Sequence, residues 1–326
     1  MQEKKLVDRD LWVLDGEEII SMEEAHKRYG EGKFPQSIIG NCFTFSEYSH
    51  LPLIPPPGWI SEGILPLQSK LLLFGEPKSG KSFMAMQMGW SIAENKPWLG
   101  FDTTNSDVRV LYIQAEIAAV ELLSRLRNLP TEFAYAETIH SLRLLGEQVE
   151  LLSKRIEAVK PNVLILDPLY MFITGDLTEI SDVTKCNSII DRIIDEYGCS
   201  VVVVHHSRKP KENTTMGIME ALGSIAITAF YDSILWIEQV SKDAAMLCSI
   251  LRNAKSPEPV LITQDDRGLW QRIDIDPMCF MTAGTAQELA IRAGVSENVM
   301  QAYLSREITA GRMGRDTWGK YARKMK

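Results

Sequence analysis

Between Trp59 and about Ile275 the chain alternates short aliphatic runs with stretches of helical periodicity. The runs are Lys70–Phe74, Arg109–Ala115, Asn162–Asp167, Ser200–His205, Ser233–Gln239, Met246–Arg252 and Val260–Thr263. Among them lie Ser82–Glu94, Ala118–Leu129, Glu147–Val159 and Asp182–Tyr197, which read as helices. In Glu147–Val159 the apolar residues Val149, Leu152, Ile156 and Val159 recur at three- and four-residue spacing, the mark of an amphipathic helix. The runs VLIL and VVVV show no polar alternation. That predicts strands buried on both faces, as in a mostly parallel sheet covered by helices. The alternation predicts one α/β domain over residues 59–278.

The flanks differ. Residues 1–50 are mixed and polar, with one helix-like run, Ser21–Tyr29, and no catalytic cluster. The following Pro52–Gly58, with four prolines, can continue neither a helix nor a central strand. Residues 1–58 are therefore expected to form an N-terminal segment ending in an extended linker. Residues 279–326 read as a small helical module. In it Ala286–Arg292 is a short helix, Gly294 suits the turn, and Ser296 can cap a second helix, Glu297–Glu307. Leu289, Ala290, Val295, Val299 and Leu304 would face inward. This is a helix-turn-helix pattern. Its second helix would offer Asn298, Gln301 and Arg306 to a DNA groove, or the module is a packing unit for subunit contact.

Charge sharpens the contrast. The 326 residues carry a formal −8, but Phe280–Lys326 is +4, which leaves residues 1–279 at −12. A basic tail on an acidic body points to a polyanion partner for the tail. The longest near-apolar stretch, Ser224–Ile237, contains Asp232 and is too short for a membrane span. The charged start, MQEKKLVDRD, lacks the apolar core of a signal peptide. The five cysteines form no CxxC pair and no zinc spacing, which fits a reducing cytoplasm.

The strand Lys70–Phe74 runs directly into Gly75-Glu76-Pro77-Lys78-Ser79-Gly80-Lys81-Ser82, which matches G-x-x-x-x-G-K-[ST]. The glycines let backbone N–H groups turn inward around phosphate oxygens, and the next helix aims its N-terminal N–H groups at the same anion. Lys81 can reach the β- and γ-phosphates of ATP, and the Ser82 hydroxyl can ligate Mg²⁺. Gly75 through Ser82, with Phe83 beyond, form the expected nucleotide-binding set.

Three strand ends supply the other groups. Asp167 closes a buried run beside the phosphate loop, where a P-loop enzyme holds its Mg²⁺. Pro168 follows it, so the metal carboxylate has no acidic neighbour in sequence. The candidate for orienting the attacking water is Glu116, which follows the strand RVLYIQA on the same edge of the sheet. Ser200–Val204 leads into His205-His206, and adjacent strand residues point to opposite faces. One histidine, His206 by preference, faces the nucleotide and can sense the γ-phosphate.

The P-loop ending GKS, the Glu after the second strand, VLILDP and VVVVHHSRK together resemble the RecA-type ATPases. Within these the chain is most similar to the plasmid RepA-type hexameric replicative helicases and their phage and mobile-element relatives. The resemblance covers about Trp59–Ile275 and implies a RecA-like P-loop core and a homo-oligomeric ring, hexameric in the family's manner, with ATP between neighbours. It implies Lys81, Ser82 and Asp167 for phosphate and Mg²⁺, Glu116 to activate water, and Arg125 near the nucleotide. It also implies a finger in trans, either Arg252 or Lys255. Loops Phe172–Ser181 and Ser207–Leu222 would face a central channel, with Arg208, Lys209 and Lys211 on the phosphates of single-stranded DNA. The function expected is an ATP-hydrolysing helicase; the alternative is a recombinase-like or regulatory DNA-binding ATPase without unwinding.

Overall fold

A computed structural model describes residues 11–15, 18–21, 27, 38–41, 58–104, 107–129, 136–138, 147–172, 180–206, 230–241, 244–309, 311–317 and 319–323. The chain divides into two compact units, Met1–Pro55 and Pro56–Lys326.

The first unit holds β1 (Leu11–Asp15), β2 (Glu18–Ser21) and β3 (Ile38–Asn41). They form an antiparallel sheet in the order β2-β1-β3, with Val13 opposite Ile20 and Ile38. The pattern analysis foresaw none of these strands. Of its helix-like run Ser21–Tyr29, Ser21 ends β2 and Lys27 is helical; the rest lies outside the described residues. So does the proline linker up to residue 57.

The second unit opens with a small ribbon, β4 (Gly58–Ile60) against β5 (Leu65–Pro66). Nine strands then build one sheet. They are β6 (Lys70–Gly75), β7 (Val110–Gln114), β8 (Ala136–Thr138), β9 (Val163–Asp167), β10 (Ser200–His206), β11 (Ser233–Gln239), β12 (Ala244–Leu251), β13 (Val260–Gln264) and β14 (Trp270–Arg272). The order is β14-β13-β12-β11-β6-β10-β9-β7-β8. From β8 to β11 all neighbours are parallel; β11 to β14 are antiparallel. β10 lies between the P-loop strand β6 and the acid-bearing strand β9.

Helices α1 (Lys81–Ala93), α2 (Ala119–Leu126), α3 (Glu147–Val159) and α4 (Ile180–Tyr197) follow successive parallel strands. The sheet separates two apolar clusters. Leu71, Leu73, Val202 and Val204 pack with Met84, Met88 and Ile92 of α1. Leu72, Leu164, Val201 and Val203 pack with Leu152 and Ile156 of α3 and with Ile190 and Ile193 of α4. Consecutive strand residues thus serve opposite layers, which is why VLIL and VVVV are apolar at every position.

The C-terminal segment forms α5 (Ala286–Ala293), α6 (Glu297–Thr309), β15 (Met313–Arg315) and β16 (Tyr321–Arg323). Thr285 and Glu288 make a reciprocal capping box at the start of α5, and Gly294 ends it at φ 66°. The helices share a core with the antiparallel strands. Leu289, Val299, Met300 and Leu304 pack with Ala244, Met246, Cys248 and Leu261. Asn298, Gln301 and Arg306 face a crevice of about 680 Å³, also lined by Glu238, Met246 and Glu258. Arg306 donates to Pro259 O at 2.7 Å. Of the polar side chains expected at a DNA groove, Asn298 and Gln301 are exposed, whereas Arg306 is tied to the sheet of the same unit. Among the described residues no helix is long and apolar enough to cross a membrane.

Candidate active site

The parallel strands end at one edge, and the site is built from four of those ends. β6 delivers the phosphate loop. Gly75 sits where a Cβ would be a tight fit, meeting Ser79 Oγ at 3.0 Å and Ile237 O at 3.1 Å. Gly80 turns the chain into α1 at φ 79°, a left-handed conformation that glycine adopts without strain. Glu76, Pro77 and Lys78 form the exposed crest of the loop.

Lys81 is folded back into the loop, donating to Glu76 O at 2.5 Å and reaching Ser79 Oγ at 3.5 Å. Only 3% of it is exposed. Burial pulls its pKa down to about 8, although Asp167, Glu116 and Glu76 favour the charge. A buried ammonium bonded to loop carbonyl and hydroxyl oxygens is poised to exchange them for phosphate oxygens.

β9 delivers Asp167, which is fully buried. Its carboxylate accepts from Tyr112 Oη at 2.5 Å, and the Ser82 hydroxyl lies close enough to lower its pKa. Burial raises its pKa, while the two hydroxyls hold it down. Hydroxyl and carboxylate lie together beside the loop, and this donor set fits Mg²⁺, which takes few protein oxygens and completes its shell with phosphate and water. Among the described residues no group of three His, Cys, Asp or Glu could hold a metal unaided.

β7 delivers Glu116. Gln114, the last strand residue, is buried, and its Oε1 accepts from the backbone N–H groups of Glu116 (2.5 Å) and Ile117 (2.8 Å). This closed turn sets Glu116 at the edge with its side chain exposed. His206, at the end of β10, points its Nε2 at Glu116 Oε2, 3.7 Å away. Burial, then the charge of Lys81, lower the His206 pKa, against the pull of the Glu116 and Asp167 charges. His205 points into the other layer, buried, with its pKa pulled down to about 4.

Other predicted residues lie further out. Arg125 pairs with Glu121 at 3.3 Å and covers the Phe83 ring at 5.4 Å, just beyond Ser82. Arg252 lies 3.9 Å from Asp232. It follows Leu251, which is opposite Ser233, and Ser233 pairs with Leu71 near the start of β6. Arg252 and Lys255 therefore sit at the sheet edge away from their own phosphate loop. Arg208, Lys209 and Lys211 lie outside the described residues.

Pattern reading missed three supporting residues. Tyr112 is the one hydroxyl in the strand VLYIQ, and Gln114 is its one amide; both signals are visible once the strand is aligned with Asp167. Trp270, on β14, contacts the loop at Gly80 from 190 residues away in sequence and left no local signal.

A family model described as an AAA domain matches residues 44–212, just over half of the chain. The chain belongs to the AAA domain family. With β10 between the P-loop strand and the acid strand of a mostly parallel sheet, it has the core of a P-loop ATPase. No curated protein matches this AAA chain significantly. Among solved structures, a DnaB-like replicative helicase, described with its interactions with primase, matches at 11% identity and a TM-score of 0.49. The match covers 63% of this chain and 57% of the helicase, so the chain spans less than two thirds of that protein. A KaiC-like protein from the hyperthermophilic archaeon Pyrococcus horikoshii OT3 matches at 12% identity and a TM-score of 0.46, covering 68% of this chain and 97% of that one.

Proposed function

We propose that this ATPase is a cytoplasmic DNA motor, a hexameric replicative-type helicase that moves along single-stranded DNA. The observation that carries the reading is the meeting of Lys81, Ser82, Asp167, Glu116 and His206 at one sheet edge. Loop N–H groups and Lys81 bind the phosphates, and Ser82 and Asp167 hold Mg²⁺. The metal, when bound, neutralises charge that develops on the transferred phosphoryl group. Glu116 orients the attacking water, and His206, whose Nε2 faces Glu116, links that carboxylate to the γ-phosphate end of the site.

The position of Arg252 and Lys255 supports a ring. They are remote from their own loop, so either could serve only a neighbour's nucleotide. The basic residues Arg208, Lys209 and Lys211 lie within five residues of His206 in the chain, which supports coupling of DNA contact to the nucleotide.

Strand displacement on a forked duplex tests the reading. The motor displaces the strand with ATP and Mg²⁺, single-stranded DNA stimulates hydrolysis, and Lys81→Ala abolishes both. Robust hydrolysis without displacement would favour the recombinase-like or regulatory ATPase.

A further inference from the structure

The turn after β9 places a side chain that neither the phosphate loop nor the metal site needs. Leu169–Met171 is a short 3-10 turn anchored on both sides, with Leu169 3% and Phe172 0% exposed. Between these anchors Tyr170 stays 39% exposed and turns to the catalytic edge. Its ring lies 5.6 Å from the His206 ring, tilted by 52°. Its hydroxyl lies close enough to the Glu116 carboxylate for that charge to raise the phenol pKa. Three strand ends thus converge on one carboxylate, with His206 Nε2 3.7 Å from Glu116 Oε2 on the other side.

We propose that Tyr170 is a positioning residue for the hydrolytic step: its O–H donates to Glu116 and, with His206, aims the carboxylate at the water that attacks the γ-phosphate. This rests on the reading of Glu116 as the group that orients that water. The geometry requires a partner of this kind. Glu116 is half exposed, and a glutamate side chain left to itself samples many rotamers. A carboxylate offers about four lone-pair sites, so one bond to Tyr170 leaves the others for water. Burial and the charges of Glu116 and Asp167 push the phenol pKa up to about 12, so the hydroxyl keeps its proton at any working pH.

The test compares the full-length variants Tyr170→Phe, Glu116→Gln and the double variant in steady-state ATP hydrolysis, with nucleotide affinity and Tm measured alongside. Tyr170→Phe keeps the ring and removes only the hydroxyl. It should lower kcat about tenfold, the scale of one hydrogen bond to a charged group, with KM for ATP, nucleotide affinity and Tm unchanged. In the Glu116→Gln background the same change should have no further effect, because the bond's purpose is already gone. A wild-type or raised kcat in Tyr170→Phe overturns the proposal, as does an equal loss in both backgrounds, or a loss that travels with Tm and KM. Wild-type turnover in Glu116→Gln overturns the underlying reading of Glu116 instead.

Discussion

The indole Nε1–H of Trp270 donates to the carbonyl oxygen of Gly80 at 3.1 Å. The same oxygen accepts from Met84 N at 3.0 Å as α1 begins. Gln87, further along α1, bonds both backbone groups of Trp270, its Nε2 to the O at 2.7 Å and its Oε1 from the N at 2.8 Å. The antiparallel end of the sheet thus curls back and holds the phosphate loop from beneath. The tryptophan is 5% exposed.

Trp270→Phe removes one hydrogen bond and keeps most of the packing. Its expected cost is about 1 kcal/mol, read as a roughly fivefold rise in KM for ATP with kcat little changed. Trp270→Ala also empties a buried ring site and should destabilise the fold by about 3–5 kcal/mol in denaturant unfolding. Gly80→Ala fails for the complementary reason. A Cβ at Gly80 would lie 2.6 Å from Trp270 Cζ2, on a backbone at φ 79°. Equal KM for wild type and Trp270→Phe would separate the indole from nucleotide binding.

Nucleotide binding should take up protons at mildly alkaline pH. The Lys81 pKa is held at about 8 because burial opposes its charge. Bound phosphates favour the ammonium, so its pKa rises on binding. At pH 8 about half a proton per site should enter from Lys81, and almost none at pH 6.5, where the side chain is already charged. Calorimetry of ATP binding in buffers of different ionisation enthalpy measures this. The uptake disappears in Lys81→Met; a release of protons at pH 8 would contradict the assignment.

His205 should make the fold acid-sensitive in a defined window. Its folded pKa is about 4 against 6.5 for an exposed ring, through burial first and then the nearby His206 and Lys81 charges. Between these values the unfolded chain binds more protons than the folded one, so stability falls as pH falls from 6.5 toward 4. Above 6.5 both states are neutral at this residue and the dependence vanishes. His205→Gln should flatten the curve of Tm against pH in that window.

The elements that patterning reveals are those with strong local signals. The parallel strands are continuous apolar runs, and Ser233–Gln239 and Glu147–Val159 match their predicted bounds. The phosphate loop is legible because its backbone geometry requires glycine at fixed spacing. β8 and β14, at three residues each, are too short to show a period, and pairing with neighbours defines them. β15 and β16 are likewise three-residue strands, defined by their pairing with each other and by a bridge from Tyr321 to Gly284. Within the site, the end-of-strand rule locates Asp167, Glu116 and His206. Tyr170 and Trp270 escape it, because each acts through a tertiary contact that no spacing encodes.

The C-terminal helices should depend on one carboxylate. Glu307 is 5% exposed and receives Arg306 Nη2 at 2.8 Å and Arg312 Nε at 2.8 Å. The two arginine bonds hold its carboxyl below the usual range, against the effect of burial. Glu307→Ala leaves two guanidinium groups without their acceptor beside an apolar core, and should cost about 2 kcal/mol. Hydrogen exchange should show the loss concentrated in α5 and α6, with β6 to β10 unaffected.

A finger in trans makes a prediction about mixtures. If Arg252 of one subunit completes a neighbour's site, Lys81→Ala and Arg252→Ala rings are each inactive. Mixed rings then contain interfaces where an intact P-loop from an Arg252→Ala subunit meets an intact Arg252 from a Lys81→Ala subunit. Those interfaces should hydrolyse ATP, so mixing and reassembly restores part of the activity, with a maximum near equal proportions. The distance of Arg252 from its own loop means that no single-chain site can do this. A mixture that stays inactive, while the same test with Lys255→Ala recovers turnover, assigns the finger to Lys255; inactivity in both tests removes the in-trans mechanism.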